Sequence, residues 1–283
     1  MFYTIENEFL TAQINDFGAE LHSLRNKSDG HEYIWQGDPS VWYGQAPVLF
    51  PIIGRLLDDK YRYNGVEYTL QKHGFARKRA FEVVSCERNE AVFVLRSNDE
   101  TRACYPFDFE LYVKFILAGK SLRAIHTVVN LTDGEMYFSL GGHPAFNCAI
   151  GDWLEFDKPE TVDTETIDGE SYRLPDKTPL LHEEKCVTIT EHVFDHDALI
   201  LSGLKSRAVT LRNDAHAHEV RFVFGDVPYL GIWAKPGAPY VCIEPWCGVN
   251  DDRRPRADFS EKDAIMHLPQ GGVFDLVYSA EIL

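Results

Sequence analysis

The feature that most constrains the fold is a repeated alternation of apolar and polar residues with a period of two. It is clearest in three segments, residues 109–117, 121–130 and 219–224. Successive side chains of a β-strand point to opposite faces, so this alternation is typical of strands with one buried face. Turn residues separate such segments, and Asn64-Gly65 has the composition of a hairpin turn. The sequence therefore predicts many short antiparallel strands.

Signals for helices are few. No stretch repeats apolar residues with the helical period of about 3.6. Residues 38–42 predict a single turn, and residues 260–263 have the spacing of a helix capping box. Residues 157–179 are polar and acidic, which predicts a surface excursion and not a linker. We therefore predict one all-β domain spanning residues 1–283, built as an antiparallel sandwich or barrel.

Charge excludes several classes of partner. The 283 residues include 28 Lys and Arg against 44 Asp and Glu, a formal net charge of −16. Binding to nucleic acid or to an anionic membrane surface depends on clustered cations, so neither partner is expected. No apolar run reaches the ~18 residues of a membrane helix, and the N-terminus lacks the pattern of a secretory signal. We predict a cytoplasmic protein.

Motifs for metals and cofactors are missing from the sequence. There is no glycine-rich phosphate loop, no dinucleotide fingerprint and no nucleophile elbow. The six cysteines include no Cys-x-x-Cys pair, and no His/Cys cluster has the spacing of a zinc site. The prediction is free thiols in a reducing compartment, with no metal and no cofactor.

Four segments break the strand pattern, and each combines a titratable side chain with Gly or Pro. They are residues 50–55, 72–77, 141–146 and 243–248. Gly frees the backbone and Pro restricts it, and ordinary turns rarely combine either with an ionisable group at a strand end. These segments therefore hold the candidate site.

His143 is the first candidate for proton transfer. It follows Gly141 and Gly142 and precedes Pro144. Glycines allow close approach of another backbone or a ligand, and a residue before proline avoids the α region. The imidazole is thus aimed from a stiff backbone, as a general acid or base requires. The alternative is a histidine whose ring is satisfied by hydrogen bonds inside a tight turn.

Glu244 is the second candidate. It follows the apolar residues 240–243 and precedes Pro245, which places it at the end of a buried strand. A carboxylate there costs free energy unless it is paired or functional. Trp246 offers a flat apolar surface beside it. The alternative is a structural ion pair with one of three later arginines, Arg253, Arg254 or Arg256.

A His–Glu pair suits the interconversion of the α and β anomers of a sugar. Opening the hemiacetal ring needs a base at the C1 hydroxyl and an acid at the ring oxygen. With ordinary pKa values near ~6.5 and ~4.3, the two side chains can be imidazolium and carboxylate together, and their mutual field widens that range. The sugar also needs polar donors and an aromatic surface, for which Arg55, His73, Trp233 and Trp246 are candidates.

At these four segments the sequence resembles the aldose 1-epimerase (galactose mutarotase-like) family. The similarity covers nearly the whole chain, and residues 141–146, with the sequence Gly-Gly-His-Pro-Ala-Phe, are its most specific part. Residues 72–77 and 243–246 are particularly similar to the shorter, lactose-operon-associated subgroup. The resemblance implies a large antiparallel β-sandwich, called a supersandwich, with an open sugar cleft.

The resemblance also implies roles for individual residues. His143 resembles the general acid at the ring oxygen, and Glu244 resembles the base at the C1 hydroxyl. Arg55 and His73 resemble residues that hold the substrate. The resemblance therefore implies an isomerase that acts on carbohydrates and needs no cofactor.

One further position follows from the resemblance. An aspartate that holds sugar hydroxyls is expected, with Asp197 as the best match and Asp195 as the alternative. Trp246 is expected to contact the sugar. The Pro245-Trp246 pair after the glutamate departs from the better-studied galactose mutarotases, which leaves the identity of the sugar open.

Three other functions remain open at this point. A hexose-6-phosphate 1-epimerase would need a cationic pocket, for which Arg55, Arg77 and Lys205 are candidates. A glycoside hydrolase would need two carboxylates flanking the scissile bond. A non-catalytic sugar sensor is compatible with the same fold. In each case the partner is a small-molecule sugar or sugar phosphate, and the protein is expected to be a monomer or homodimer.

Overall fold

Strands dominate the architecture. The computed structural model describes residues 1–283, of which 52% lie in strands and 5% in helices. The first eleven strands are β1 (Phe2–Glu6), β2 (Leu10–Asn15), β3 (Glu20–Asn26), β4 (Val48–Leu49), β5 (Lys60–Tyr63), β6 (Val66–Thr69), β7 (Glu82–Cys86), β8 (Glu90–Arg96), β9 (Phe109–Ala118), β10 (Ser121–Asn130) and β11 (Met136–Phe138). The other eleven are β12 (Leu140–Gly142), β13 (Ala145–Asn147), β14 (Trp153–Ile167), β15 (Arg173–Thr188), β16 (Leu199–Ser202), β17 (Ala208–Arg212), β18 (Val220–Val223), β19 (Tyr229–Trp233), β20 (Tyr240–Cys247), β21 (Met266–Leu268) and β22 (Val273–Ile282).

Helical structure is confined to single turns. They are one α-turn, α1 (Asp99–Arg102), and three 3₁₀ turns, Leu57–Asp59, Ala76–Lys78 and Phe259–Glu261. No helix has the length and apolar composition that crossing a membrane would require.

Fifteen strands form one antiparallel sheet. Its main path runs β4-β12-β20-β19-β16-β14-β17-β18-β22-β10-β9-β8-β7, while β13 joins β20 and β15 joins β14. Three small sheets complete the fold: β1-β2-β3, β5-β6 and β11-β21. The prediction of an all-β chain of antiparallel strands is confirmed.

The alternation seen in the sequence becomes the buried face of the long strands. In β9 and β10 nearly every second residue is buried. These residues belong to a cluster of 66 buried apolar side chains that spans the chain from Ile5 to Ile282. Burying one Val, Leu, Ile, Phe or Met side chain stabilises the fold by about 1.5–3 kcal/mol relative to leaving it exposed. The hairpin at Asn64-Gly65, between β5 and β6, is also confirmed.

The structure refines one local prediction, the surface excursion of residues 157–179, and contradicts another, the capping box of residues 260–263. Residues 157–179 lie in the paired strands β14 and β15 and the turn between them. Most side chains there are exposed, so the segment lies at the surface, while β14 also pairs with β16 at Thr164 and Glu165 as part of the main sheet. Residues 260–263 form no capping box, because Asp258 caps the Phe259–Glu261 turn by accepting a hydrogen bond from the Ser260 N–H at 3.0 Å.

The central strand β20 is buried along its whole length. It pairs with β19 on one edge and with both β12 and β13 on the other. Glu244 therefore lies inside β20. The sequence predicts that it lies at the end of a buried strand, and that prediction is wrong. The strand continues through Pro245 although proline has no N–H to donate. Backbone nitrogens two residues apart point to the same edge of a strand, and the Ile243 N–H donates to Pro144 O at 3.1 Å. The Pro245 nitrogen therefore faces the break between β12 and β13, where no strand hydrogen bond is lost.

Candidate active site

A cavity of about 460 Å³ lies beside β20. Five of the six residues assigned to the site from the sequence line it: His143, Glu244, His73, Asp197 and Trp246. The remaining lining residues are Trp42, Lys72, Arg77, Ile167, Phe194, Asp195, Ala198, Ile200, Trp233, Pro236 and Asn250. The cavity thus brings together four segments, around residues 73, 143, 197 and 245, that are far apart in the sequence.

The centre of the site is a direct contact between the two predicted proton-transfer residues. His143 Nε2 lies 3.2 Å from Glu244 Oε1. His143 sits between β12 and β13, opposite the position of Glu244 in β20, so the sheet itself holds the two side chains face to face. Their side chains are 10% and 1% exposed, which makes this a buried pair in direct contact.

The glycines before His143 are required by packing. A Cβ on Gly142 would lie 2.8 Å from the Tyr278 ring, and a Cβ on Gly141 would lie 3.0 Å from Trp246. The indole of Trp42 stacks on His143 with ring centroids 5.1 Å apart and an interplanar angle of 25°. The imidazole is therefore fixed by neighbours on its backbone side and on its ring face.

Burial controls the protonation of the pair. It lowers the pKa of His143 to about 3, and the positive charges of Arg77 and Lys72 act in the same direction. Burial raises the pKa of Glu244 well above its usual value; the Trp246 N–H and the Lys72 charge oppose this, and Asp197 reinforces it. Burial therefore shifts both groups towards their neutral forms, in contrast to the separated charges that ordinary pKa values predict.

Trp246 lines the cavity and also contacts Glu244. Its Nε1–H donates a hydrogen bond to Glu244 Oε2 at 3.1 Å. The two residues are two positions apart in β20 and so share one face of the strand. Trp246 is only 3% exposed, and its indole packs within 2.8 Å of where a Cβ on Gly231 would lie. The indole therefore fixes the orientation of the carboxyl group.

His73 lies in a turn locked to residue 54. Its N–H donates to Gly54 O at 2.8 Å, and its Nδ1 accepts from Gly54 N–H at 3.2 Å. Burial lowers the pKa of His73 well below its usual value, so the ring is neutral. Because Nδ1 accepts, Nε2 carries the proton and is the donor available to a ligand. His73 also has a left-handed φ of 66°, a strained conformation that is concentrated at functional sites.

Both candidate aspartates line the cavity, but their partners differ. Asp195 Oδ2 lies 2.9 Å from His192 Nδ1 in a surface ion pair. Asp197 has a left-handed φ of 72°, and its Oδ1 accepts from the Ala198 N–H at 2.8 Å. The charge of Asp197, and not that of Asp195, contributes to the raised pKa of Glu244. The charge of Asp197 therefore reaches Glu244, and its role in holding sugar hydroxyls stays a prediction.

Two features expected from the sequence are not found in the cavity. Arg55 is absent from its lining, because its guanidinium binds the Asp59 carboxylate at 2.9 and 3.1 Å and lies over the Tyr172 ring. The alternative of an ion pair between Glu244 and a later arginine is also wrong. Those arginines pair with other carboxylates, Asp168, Glu170, Asp252 and Asp263.

Several lining residues escaped the sequence analysis. The sequence does not single out Lys72, which precedes His73 in the same segment, and it favours Arg77 only as a candidate for a phosphate pocket. Trp42 gave no signal beyond being aromatic, because its contact with His143 joins residues far apart in the chain. Asn250 follows the segment of Glu244 and donates from Nδ2 to Ser171 O at 2.8 Å.

The family of the chain follows from its similarity to known proteins. The sequence profile described as aldose 1-epimerase matches residues 1–253. The chain belongs to the aldose 1-epimerase family. This family member is 38% identical over 265 residues to protein LacX of Lactococcus lactis subsp. lactis, and the similarity covers 87% of each chain.

Solved structures of similar proteins support the assignment to this family. A galactose mutarotase related enzyme from Lactobacillus acidophilus has a TM-score of 0.95 at 34% identity, covering 100% of this chain and 97% of that chain. A galactose mutarotase-like protein from Lactobacillus casei has a TM-score of 0.95 at 31% identity, covering 100% of both chains. The large antiparallel β-sandwich of galactose mutarotase-like proteins is thereby confirmed, and this aldose 1-epimerase family member is an isomerase acting on carbohydrates.

Proposed function

We propose that the protein interconverts the α and β anomers of an aldose by opening and closing the sugar ring. The observation that supports this most directly is the buried contact of 3.2 Å between His143 Nε2 and Glu244 Oε1 beside a cavity of sugar size. Ring opening needs one proton removed and one proton supplied, and this pair holds one acid and one base within reach of one ligand.

The proposed step balances without any other reactant. The Glu244 carboxylate removes the proton of the C1 hydroxyl, the C1–O1 bond becomes a carbonyl, and the C1–O5 bond breaks. The ring oxygen takes its electron pair and accepts a proton from the His143 imidazolium. Rotation about C1–C2 presents the other face of the aldehyde, and the reverse transfers close the ring. Each general acid or base contributes about 10²–10⁴-fold to the rate.

The neutral forms that burial favours for His143 and Glu244 are compatible with this scheme. A neutral imidazole with a carboxylic acid holds the same number of protons as an imidazolium with a carboxylate. The two forms differ only in the position of one proton along the contact between His143 and Glu244. Hydrogen bonds from Trp246 and a sugar hydroxyl to Glu244 stabilise the carboxylate form, so binding of the substrate prepares the pair for the reaction.

Other lining residues supply what a sugar needs. His73 Nε2–H and the Asp197 carboxylate are a donor and an acceptor for hydroxyl groups. Trp42 and Trp233 meet edge to face, with ring centroids 5.5 Å apart, and offer apolar surface to the C–H side of the ring. Asn250 adds an amide to the same cavity. We assign substrate binding to these residues and leave Arg55 outside the site.

The alternatives fit less well. A glycoside hydrolase requires a second carboxylate flanking the bond, whereas the partner of Glu244 at hydrogen-bond distance is a histidine. A sugar sensor does not need a buried acid–base pair, whose desolvation costs free energy. The substrate of the proposed reaction is either a free aldose or an aldose phosphate, because the chemistry at C1 is the same for both.

The proposed function is tested by following freshly dissolved α-anomers of several aldoses and aldose phosphates by NMR. Accelerated equilibration of at least one sugar is expected, and the uncatalysed rate for all of them would contradict the proposal. A substrate labelled with ¹⁸O at C1 should keep its label over many turnovers, because the bond that breaks is C1–O5. Loss of the label faster than in protein-free buffer would indicate cleavage of the C1–O1 bond instead.

We also propose that residues 1–283 work as one domain, in the cytoplasm, as a monomer or homodimer. The main cluster of 66 buried residues supports one domain, because it draws on strands from both ends of the chain. Light scattering coupled to gel filtration tests the oligomeric state, and a single cooperative unfolding transition tests the single domain.

A further inference from the structure

We propose that His143, Cys242 and Glu244 form a binding site for a thiol-binding divalent cation such as Zn²⁺, and that the bound ion inhibits the protein. The site itself depends only on the three side chains and their geometry. Its effect on activity rests on the proposed function, because the ion would occupy the two residues that move protons. The ion would therefore act as an inhibitor and not as a cofactor.

Cys242 is the residue that extends the catalytic pair to a triad. It lies two positions before Glu244 in β20, so both side chains project from the same face of the strand. Its thiol is free and fully buried, and the proposed proton transfers do not use it. Buried cysteines usually serve as small apolar residues. This one, however, has a carboxyl group and an imidazole beside it, which is the ligand chemistry of a zinc site.

The separations between the three ligand atoms fit a tetrahedral ion. Zn²⁺ lies about 2.0–2.2 Å from nitrogen and oxygen ligands and about 2.3 Å from sulfur, which at the tetrahedral angle places two ligand atoms about 3.3–3.7 Å apart. His143 Nε2 and Glu244 Oε1 are 3.2 Å apart. An imidazole nitrogen, a carboxylate oxygen and Cys242 Sγ all lie within 4.8 Å of one another. A rotation of the Cys242 side chain would therefore complete the triad without movement of the sheet.

The charges of the three ligands match a divalent ion. A thiolate at Cys242 and a carboxylate at Glu244 would neutralise two positive charges, with the neutral imidazole of His143 as the third ligand. Either anion alone is costly at a fully buried position, whereas a neutral complex avoids that cost. The displaced protons leave with the solvent, as is usual when a metal ion binds thiol and carboxyl groups.

The surroundings of the triad hold the ligands in place. The Trp246 Nε1–H donates to Glu244 Oε2 at 3.1 Å, which leaves Oε1 on the side of His143. The Trp42 indole stacks on the imidazole with ring centroids 5.1 Å apart. Such supporting contacts fix the orientation of metal ligands. The adjoining cavity leaves the fourth coordination position open to water or to a sugar hydroxyl.

The ligand set also selects the kind of ion. Mg²⁺ and Ca²⁺ need six or more ligands, nearly all of them oxygen atoms. One sulfur, one nitrogen and one oxygen suit Zn²⁺ and the chemically similar Co²⁺ instead. An ion bound here would occupy His143 Nε2 and Glu244 Oε1, the atoms that the proposed reaction needs for proton transfer. Inhibition by Zn²⁺ and no effect of Mg²⁺ are therefore expected.

The test follows anomer exchange at increasing Zn²⁺, with each rate divided by the metal-free rate of the same variant. Wild type should be inhibited, and a chelator added afterwards should restore the rate. Cys242→Ser should need at least about tenfold more Zn²⁺ for half inhibition, because it lacks one ligand; Cys242→Ala replaces it if the serine variant does not fold. Cys247→Ser is the matched control: Cys247 is also buried in β20 but lies five positions away, on the opposite face of the strand. It should be inhibited like wild type.

Binding of Co²⁺, followed by absorption, gives a readout that does not depend on turnover. Wild type and Cys247→Ser should show a thiolate-to-cobalt charge-transfer band, and the Cys242 variants should lose it. No such band in wild type, or an unchanged band without Cys242, would overturn the site and leave the proposed function intact. Binding of Co²⁺ at Cys242 without inhibition by Zn²⁺ would overturn the inhibitory role. If no sugar is equilibrated faster but the band depends on Cys242, the proposed function fails while the metal site stands.

Discussion

Replacing Trp246 by phenylalanine removes the hydrogen bond that the indole donates to Glu244 Oε2 at 3.1 Å. A hydrogen bond to a charged group is worth about 1.5–3 kcal/mol, and one pKa unit corresponds to about 1.4 kcal/mol. The indole N–H stabilises the carboxylate and so lowers the pKa of Glu244. Its loss should therefore raise this pKa by about one to two units, which makes the base form of Glu244 scarcer at neutral pH.

The assay is the pH profile of kcat for anomer exchange. In Trp246→Phe the acid limb should move to higher pH by about one to two units, and kcat at neutral pH should fall by about 10- to 100-fold. Trp233→Phe is the matched control, because Trp233 lines the cavity without a hydrogen bond to Glu244, and its acid limb should stay in place. A Trp246→Phe profile that is lower but not displaced would refute the role of the indole in setting the base.

Three other predictions concern residues around the site. Gly74→Ala should destabilise the fold by at least about 2 kcal/mol in urea unfolding, because a Cβ at this left-handed position would lie 2.3 Å from Phe50 O; a loss near zero would contradict this packing. His126 is buried, and burial lowers its pKa to about 3, whereas in the unfolded chain its pKa is near ~6.5. Its contribution to stability is therefore present above pH ~6.5 and is lost as the pH falls towards 3, at up to about 1.4 kcal/mol per pH unit. His126→Gln should lower this slope by one proton, as measured by denaturation at several pH values. Asp197→Asn removes a charge that raises the pKa of Glu244, so its acid limb should move to lower pH, opposite to the shift in Trp246→Phe.

The strands and the central pair could be predicted because their signals are local. Alternation in β9 and β10 reflects the geometry of each strand by itself, and the Gly and Pro residues beside His143 and Glu244 restrict the backbone at those positions. The family resemblance then ordered these segments into one site. Local patterns were sufficient for the residues whose backbone is unusual.

The remaining features depend on contacts between distant segments. The ring of Tyr278 explains Gly142, yet the two residues lie on strands far apart in the sequence. Arg55 belongs to a segment that reaches the site, but a nearby carboxylate, Asp59, binds its guanidinium. The sequence names Arg55, Arg77 and Lys205 as candidate cations, and only the structure shows that Arg77 alone of the three lines the cavity.

The measurement that tests the central claim most directly is the rate of anomer exchange at equilibrium, followed by NMR. It compares wild type with His143→Asn, Glu244→Gln and the double variant, each confirmed as folded. Because one residue supplies a proton while the other removes one, each single variant should lose about 10²–10⁴-fold in kcat, and the double variant should lose little more than the worse single variant. Full activity in either single variant, or losses that multiply in the double variant, would contradict the account of His143 and Glu244 as one acid–base unit.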